Sequence, residues 1–86
     1  MRLEILTPEK KLYSGNLYGV QLPGTTGLFE VLEKHAPLVS ALKAGRLKVI
    51  KDRNNQVSYF EIQGGFVEVL NNNVTVLVEG ASLVEV

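Results

Sequence analysis

From the first residues the chain alternates: Leu3 and Ile5 are set against Arg2 and Glu4 until Thr7-Pro8 breaks the run. Alternation of this kind is the period of a half-buried strand, because successive side chains leave a strand on opposite sides. The period returns at Tyr18, Val20 and Leu22, interleaved with Leu17, Gly19 and Gln21, and stops at the turn dipeptide Pro23-Gly24. Leu47 and Val49 interleave with Arg46, Lys48 and Lys51 as a half-exposed strand would. Asp52-Arg53-Asn54-Asn55 then predicts a hairpin turn, since Asn and Asp tolerate left-handed backbone, and Val57 and Tyr59 open the return strand. Beyond Gly64-Gly65 lies the clearest hairpin, Phe66 to Leu70 and Val74 to Val78 around Asn71-Asn72-Asn73.

Helix competes in two places only, Leu28 to Glu33 and Pro37 to Lys43. Val31, Val39 and the bounding Pro37 and Gly45 favour a strand or a short irregular turn in both. Valine-rich runs separated by short turns predict an all-β fold, a sandwich of roughly ten short strands in two packed sheets.

Length changes the picture by limiting it to one core. A chain of 86 residues is read as one domain, 1–86, with 45% hydrophobic residues, enough for that core and too many for a disordered tail. No linker, repeat or low-complexity segment divides it. Gly24-Thr25-Thr26-Gly27 is flexible and leads at once into apolar Leu28 and Phe29, so it reads as a loop that presents something. Gly64-Gly65 reads as a bulge or a close strand approach.

Charge narrows the partners. Nine Lys and Arg balance nine Asp and Glu, so no net field draws the chain to a phosphate backbone, and no nucleic-acid partner is expected. The small clusters Glu9-Lys10-Lys11 and Lys48 to Arg53 read as solvated strand ends. There is no cysteine, which excludes disulfides, zinc–thiolate sites and thiol catalysis. Glu4 interrupts the only stretch that could start a secretory signal, and no apolar run approaches the roughly 20 residues of a membrane helix. Membrane association, on this reading, comes through a partner. The sequon Asn73-Val74-Thr75 is read as chance within a turn and strand.

Catalytic chemistry finds little to work with. One histidine, His35, leaves a metal site short of ligands, and Ser14, Ser40, Ser58 and Ser82 sit in no nucleophile-elbow pattern. Glu61 and Glu68 alternate with apolar residues as outward strand positions do. No glycine stretch belongs to a phosphate-binding or dinucleotide loop. No catalytic, metal or cofactor site is expected. His35-Ala36-Pro37 keeps two readings: a histidine bonded to backbone at a proline corner, or a residue on a surface used by a partner.

The motifs in order resemble one family. Leu22-Pro23-Gly24, Gly27, His35-Ala36-Pro37-Leu38, Leu42 and Gly45 are similar to the signature of the epsilon subunit of F-type ATP synthases. Gly64-Gly65-Phe66-Val67-Glu68-Val69 with Asn73-Val74-Thr75-Val76-Leu77 resembles that family's later hairpin. The set spans nearly the whole chain. The resemblance implies a ten-stranded sandwich on the rotor, peripheral on the cytoplasmic face of the energy-transducing membrane. It would bind the gamma subunit and touch the c-ring, beneath the alpha/beta catalytic hexamer, and couple proton flow to ATP synthesis without catalysing it. Carried over position by position, Thr7, His35 and Ser40 face gamma, and Gly27, Leu28, Phe29 and Glu30 lie in the loop at the ring. The alternative, from a different class, is a free-standing ligand-binding β-sandwich module.

Two departures bear on these expectations. Where many members read Gly-Glu-Leu-Gly, this chain has Gly27-Leu28-Phe29-Glu30, so apolar packing replaces a charge at Leu28. Glu33-Lys34 stand where a proline-glycine pair is common. Longer members add a C-terminal helical hairpin that can inhibit hydrolysis. Leu83-Val84-Glu85-Val86 reads instead as a finished edge strand, and a naturally short form is expected.

Overall fold

The computed structural model describes residues 1–54 and 56–84, and its regular structure is entirely β. The strands are β1 (Arg2–Leu6), β2 (Lys11–Asn16), β3 (Gly19–Gly24), β4 (Gly27–Leu32), β5 (Leu38–Ile50), β6 (Val57–Leu70), β7 (Asn73–Val78) and β8 (Ala81–Val84). They join in the order β2-β1-β7-β6-β5-β3-β4, with β8 also on β6. Every pairing is antiparallel except β1 with β7. Among the described residues there is no helix long and apolar enough to cross a membrane.

Eight strands appear where about ten were expected, because β5 and β6 run on for 13 and 14 residues. Each serves two layers. The first half of β6 pairs with β8 at Tyr59–Ile62, and its second half pairs with β7 at Gly65–Leu70. One layer is thus β2, β1, β7, the second half of β6 and the first half of β5. The other is β8, the first half of β6, the second half of β5, β3 and β4. Counted by layer there are five strands in each, and the long strands simply need no turn between their halves.

The crossover is written in the glycines. Phe60 and Ile62 point inward in the first half of β6, Val67 and Val69 in the second, so the inward parity inverts between them. Gly64 and Gly65 make the inversion with φ of 98° and 151°, values that side chains resist. Partner strand β5 inverts at the same level, from Leu42 to Leu47 and Val49. Both long strands therefore turn the corner together.

Inward residues of both layers meet in one cluster. Leu3, Ile5, Val67, Val69, Val74 and Val76 come from the first layer and Val20, Leu22, Val31, Leu47, Val49 and Ile62 from the second, all at most 1% exposed. Removing each from water contributes roughly 1.5–3 kcal/mol relative to exposure. Among the described residues no polar or charged side chain is buried, so the core carries no desolvated charge. Tyr13 of β2 meets Phe60 of β6 edge-to-face at 5.7 Å and closes the layers along one side.

The turns follow their chemistry. Asn71 and Asn72 both take left-handed φ, 50° and 65°, which makes the β6–β7 connection a two-residue turn of the kind Asn favours. Asp52 caps the β5–β6 turn through its carboxylate, which accepts from the N–H of Asn54 at 2.9 Å. Gly24-Thr25-Thr26-Gly27 is a tight hairpin tip rather than a loose loop: Gly24 pairs with Gly27, and only two residues lie between. The predicted strand at the chain end is present as β8, while its last two residues, Glu85 and Val86, and Asn55 of the predicted turn lie outside the described residues.

Candidate functional site: an apolar sheet face and a hairpin tip

The outer faces of the two layers differ in kind. On the second layer the outward positions include Arg46, Lys48, Gln21, Glu30, Tyr59 and Glu61. Arg46 donates to Glu61 at 3.1 Å and lies over the Tyr59 ring at 5.3 Å.

On the first layer the outward rows read differently. One runs Val39, Glu68, Thr75, Glu4 and Ser14 across four pairings, the next Ala41, Phe66, Leu77 and Leu6. Val39 is 71% exposed, Phe66 58%, Leu77 50% and Leu70 47%. Four large apolar side chains on one sheet face form a patch of the sort that marks a contact surface. At one end a groove of about 290 Å³ opens between Thr7-Pro8, Gly65-Phe66 and Leu77 to Glu79.

Thr7 holds the rim of that groove. Its N–H donates to the Lys10 carbonyl at 2.9 Å and its hydroxyl accepts from the Lys10 N–H at 3.2 Å, which closes the β1–β2 turn after Pro8 has stopped the strand. His35 stands at the opposite end. Its neighbour Lys34 donates its N–H to Asn72 Oδ1 at 2.9 Å, next to the start of β7, whereas Thr7 follows Leu6, paired to Leu77 near the end of β7. The two residues therefore frame the face across the length of β7, roughly 17 Å at 3.3–3.4 Å per residue. The exposed His35 ring donates its Nδ1–H to the Ala36 carbonyl at 2.7 Å, which turns Nε2 away from that bond.

Ser40 is placed differently from the other two. It pairs with Val67, a fully buried residue, so it shares the inward parity and sits half-buried at the edge of the layer. Its neighbour Val39 is the residue that faces out.

The hairpin tip lies on β4, an edge of the second layer. Gly27 (φ 138°) starts the strand, Leu28 is 65% exposed, Phe29 packs against the core and Glu30 is exposed. The pair Leu28-Phe29 thus splits by strand parity. Phe29 fills the place beside Gly24, where an added Cβ would lie 2.9 Å from its ring. Of the two, only Leu28 is exposed.

Val39, Phe66, Leu70 and Leu77 were not singled out from the sequence, yet a signal for them exists. Glu68 and Thr75 mark the outward parity of β6 and β7, which puts Phe66, Leu70 and Leu77 outward by period two. Among the described residues no three His, Cys, Asp or Glu side chains group to hold an ion. The Glu4 carboxyl is held below its ordinary range by its hydrogen bond and ion pair to Lys11 at 2.8 Å.

Comparison with known proteins accounts for this architecture. The ATP synthase epsilon chain of Chlorobaculum tepidum is 44% identical over 81 residues, spanning 93% of this chain and 90% of that one. The ATP synthase epsilon chain of Protochlamydia amoebophila is 39% identical over 96% of this chain, which spans 56% of its length. Among solved structures, a chain of the Euglena gracilis mitochondrial ATP synthase OSCP/F1/c-ring assembly has the same fold. Its TM-score is 0.86 at 20% identity, over 94% of this chain and 51% of that one. A chain of the Tetrahymena thermophila central stalk/c-ring structure matches with a TM-score of 0.79 at 19% identity, over 94% and 64%. The family described as ATP synthase, Delta/Epsilon chain, beta-sandwich domain, matches residues 1–84. With the match running from β1 through β8, the chain belongs to the ATP synthase delta/epsilon family.

Proposed function

We propose that this chain is a non-catalytic central-stalk subunit of a proton-translocating ATP synthase, linking gamma to the membrane c-ring so that ring rotation drives ATP synthesis. The family membership carries the reading. It also sets aside the free-standing ligand-binding module, for which no observation speaks. As a peripheral part of a membrane-bound complex, the chain takes its place on the cytoplasmic face. Residues 1–86 act as one β-sandwich unit.

The two contacts divide between the two apolar features. The outer face of the first layer, between Thr7 and His35, docks to gamma, with Val39, Phe66, Leu70 and Leu77 as its apolar floor and Ser40 supporting Val39 from the inner side. The tip Gly27, Leu28, Phe29 and Glu30 meets the ring, Leu28 making the contact while Phe29 anchors the hairpin to the core. Each Leu or Phe covered in these contacts contributes roughly 1.5–3 kcal/mol, so a few of them hold a small subunit on a turning shaft.

Affinity purification of the tagged chain from native membranes tests the class. Mass spectrometry should find alpha, beta, gamma and c subunits in stable stoichiometry. Recovery of the chain without them contradicts the reading.

A further inference from the structure

Glu68 occupies the middle of the apolar face. Directly opposite it on the neighbouring strands are Val39 and Thr75, and two residues away along β6 are the exposed Phe66 and Leu70. The diagonal positions on the flanking strands are Pro37 or Ala41 on one side and Asn73 or Leu77 on the other, none of them cationic. Three acids among the described residues hold ion pairs, Glu4 with Lys11 at 2.8 Å, Glu61 with Arg46 at 3.1 Å and Glu33 with the N-terminal ammonium at 3.6 Å. Among the described residues Glu68 has no such partner. What sets it apart from the remaining unpaired acids is its place amid exposed apolar side chains. On the same face Lys11 is engaged with Glu4 and Arg2 with the Ser14 hydroxyl, while Lys43 lies four residues along β5 from Val39, the residue opposite Glu68.

A solvated carboxylate in this position is harmless while the face is open. Once an apolar surface covers Phe66, Leu77 and Val39, water leaves Glu68 as well, and an uncompensated charge would oppose the contact. Resting on the docking reading above, we infer that the partner surface that covers this face brings an arginine or lysine to Glu68, set within an otherwise apolar patch. The apolar side chains then supply the bulk of the affinity. The single carboxylate–cation pair fixes the register and rejects apolar surfaces that lack the cation.

The test is titration calorimetry of the full chain against the purified gamma chain of the same organism, at low and high salt. Glu68→Gln keeps shape and exposure, and should melt as the parent does. It is expected to weaken binding by about tenfold or more and to flatten the salt dependence, while Glu68→Lys weakens it further. Phe66→Ala is expected to weaken binding with the salt dependence intact. If Phe66→Ala weakens binding and Glu68→Gln does not, no cation stands opposite, and the inference fails while the docking reading holds. If neither weakens it, the face is not the gamma contact and both fall.

Discussion

The side-chain carbonyl of Asn72 accepts the backbone N–H of Lys34 at 2.9 Å, tying the β6–β7 turn to the connection that carries His35. Asn72 also sits at φ 65°, so its side chain and its backbone make separable contributions. Asn72→Gly keeps the left-handed turn and loses the bond, and should cost about 1 kcal/mol in urea unfolding. Asn72→Ala loses the bond and adds strain, for a total of about 2 kcal/mol or more. Equal costs would mean that the turn carries no strain.

Gly65 is the tightest point of the corner. A Cβ there would lie 2.0 Å from the carbonyl oxygen of Leu77, at φ 151°. Gly65→Ala should therefore destabilise by at least about 3 kcal/mol, by strain and by parting β6 from β7. Gly27 is the control: its φ is 138° but a Cβ would meet nothing within 4 Å, and Gly27→Ala should cost only about 1–2 kcal/mol. Thermal melts of the two variants compare them directly.

These two sites also show what could be read in advance. The Asn-rich turn and the valines around it were legible because turn chemistry and strand period agree there. Gly64-Gly65 was legible as a close approach. That β5 and β6 continue through it was not, since a glycine pair at which the inward parity inverts reads in sequence as the end of one strand and the start of another. The sides of β6 were ambiguous for a related reason: Val67 and Val69 and their neighbours Phe66 and Leu70 are all apolar, and only Glu68 tells inside from outside. Thr7, His35 and Ser40 came from resemblance. Their arrangement, two residues framing a face and one beneath its edge, depends on pairings between strands far apart in the chain.

Leu28 tests the hairpin tip. At 65% exposure it belongs to the surface, so Leu28→Asp should shift the melting free energy by less than about 0.5 kcal/mol. In membrane vesicles the same variant should lower ATP-driven proton pumping more than ATP hydrolysis. Unchanged pumping would remove Leu28 from the ring contact.

Glu4 gives a pH signature for the first layer. Its carboxyl is held below the ordinary glutamate range, first by the Lys11 hydrogen bond and then by the charges of Lys11 and Arg2. A depressed folded-state pKa contributes stability above the unfolded pKa and loses it as pH falls through the folded one. Lys11→Met should move the Glu4 titration upward, toward the ordinary value, as followed by carboxyl-carbon NMR. No movement would place the cause elsewhere.

In the assembled synthase the first-layer face should be covered while the second-layer face stays open. The chain has no cysteine, so single cysteines report cleanly: Val39→Cys on the first face and Lys48→Cys on the second. Maleimide labelling of each variant, free in solution and assembled in membranes, makes the comparison. Both should label when free; on assembly Val39→Cys should become protected while Lys48→Cys stays reactive. Equal labelling of Val39→Cys in the two states, with the subunit present in the complex, would contradict the account.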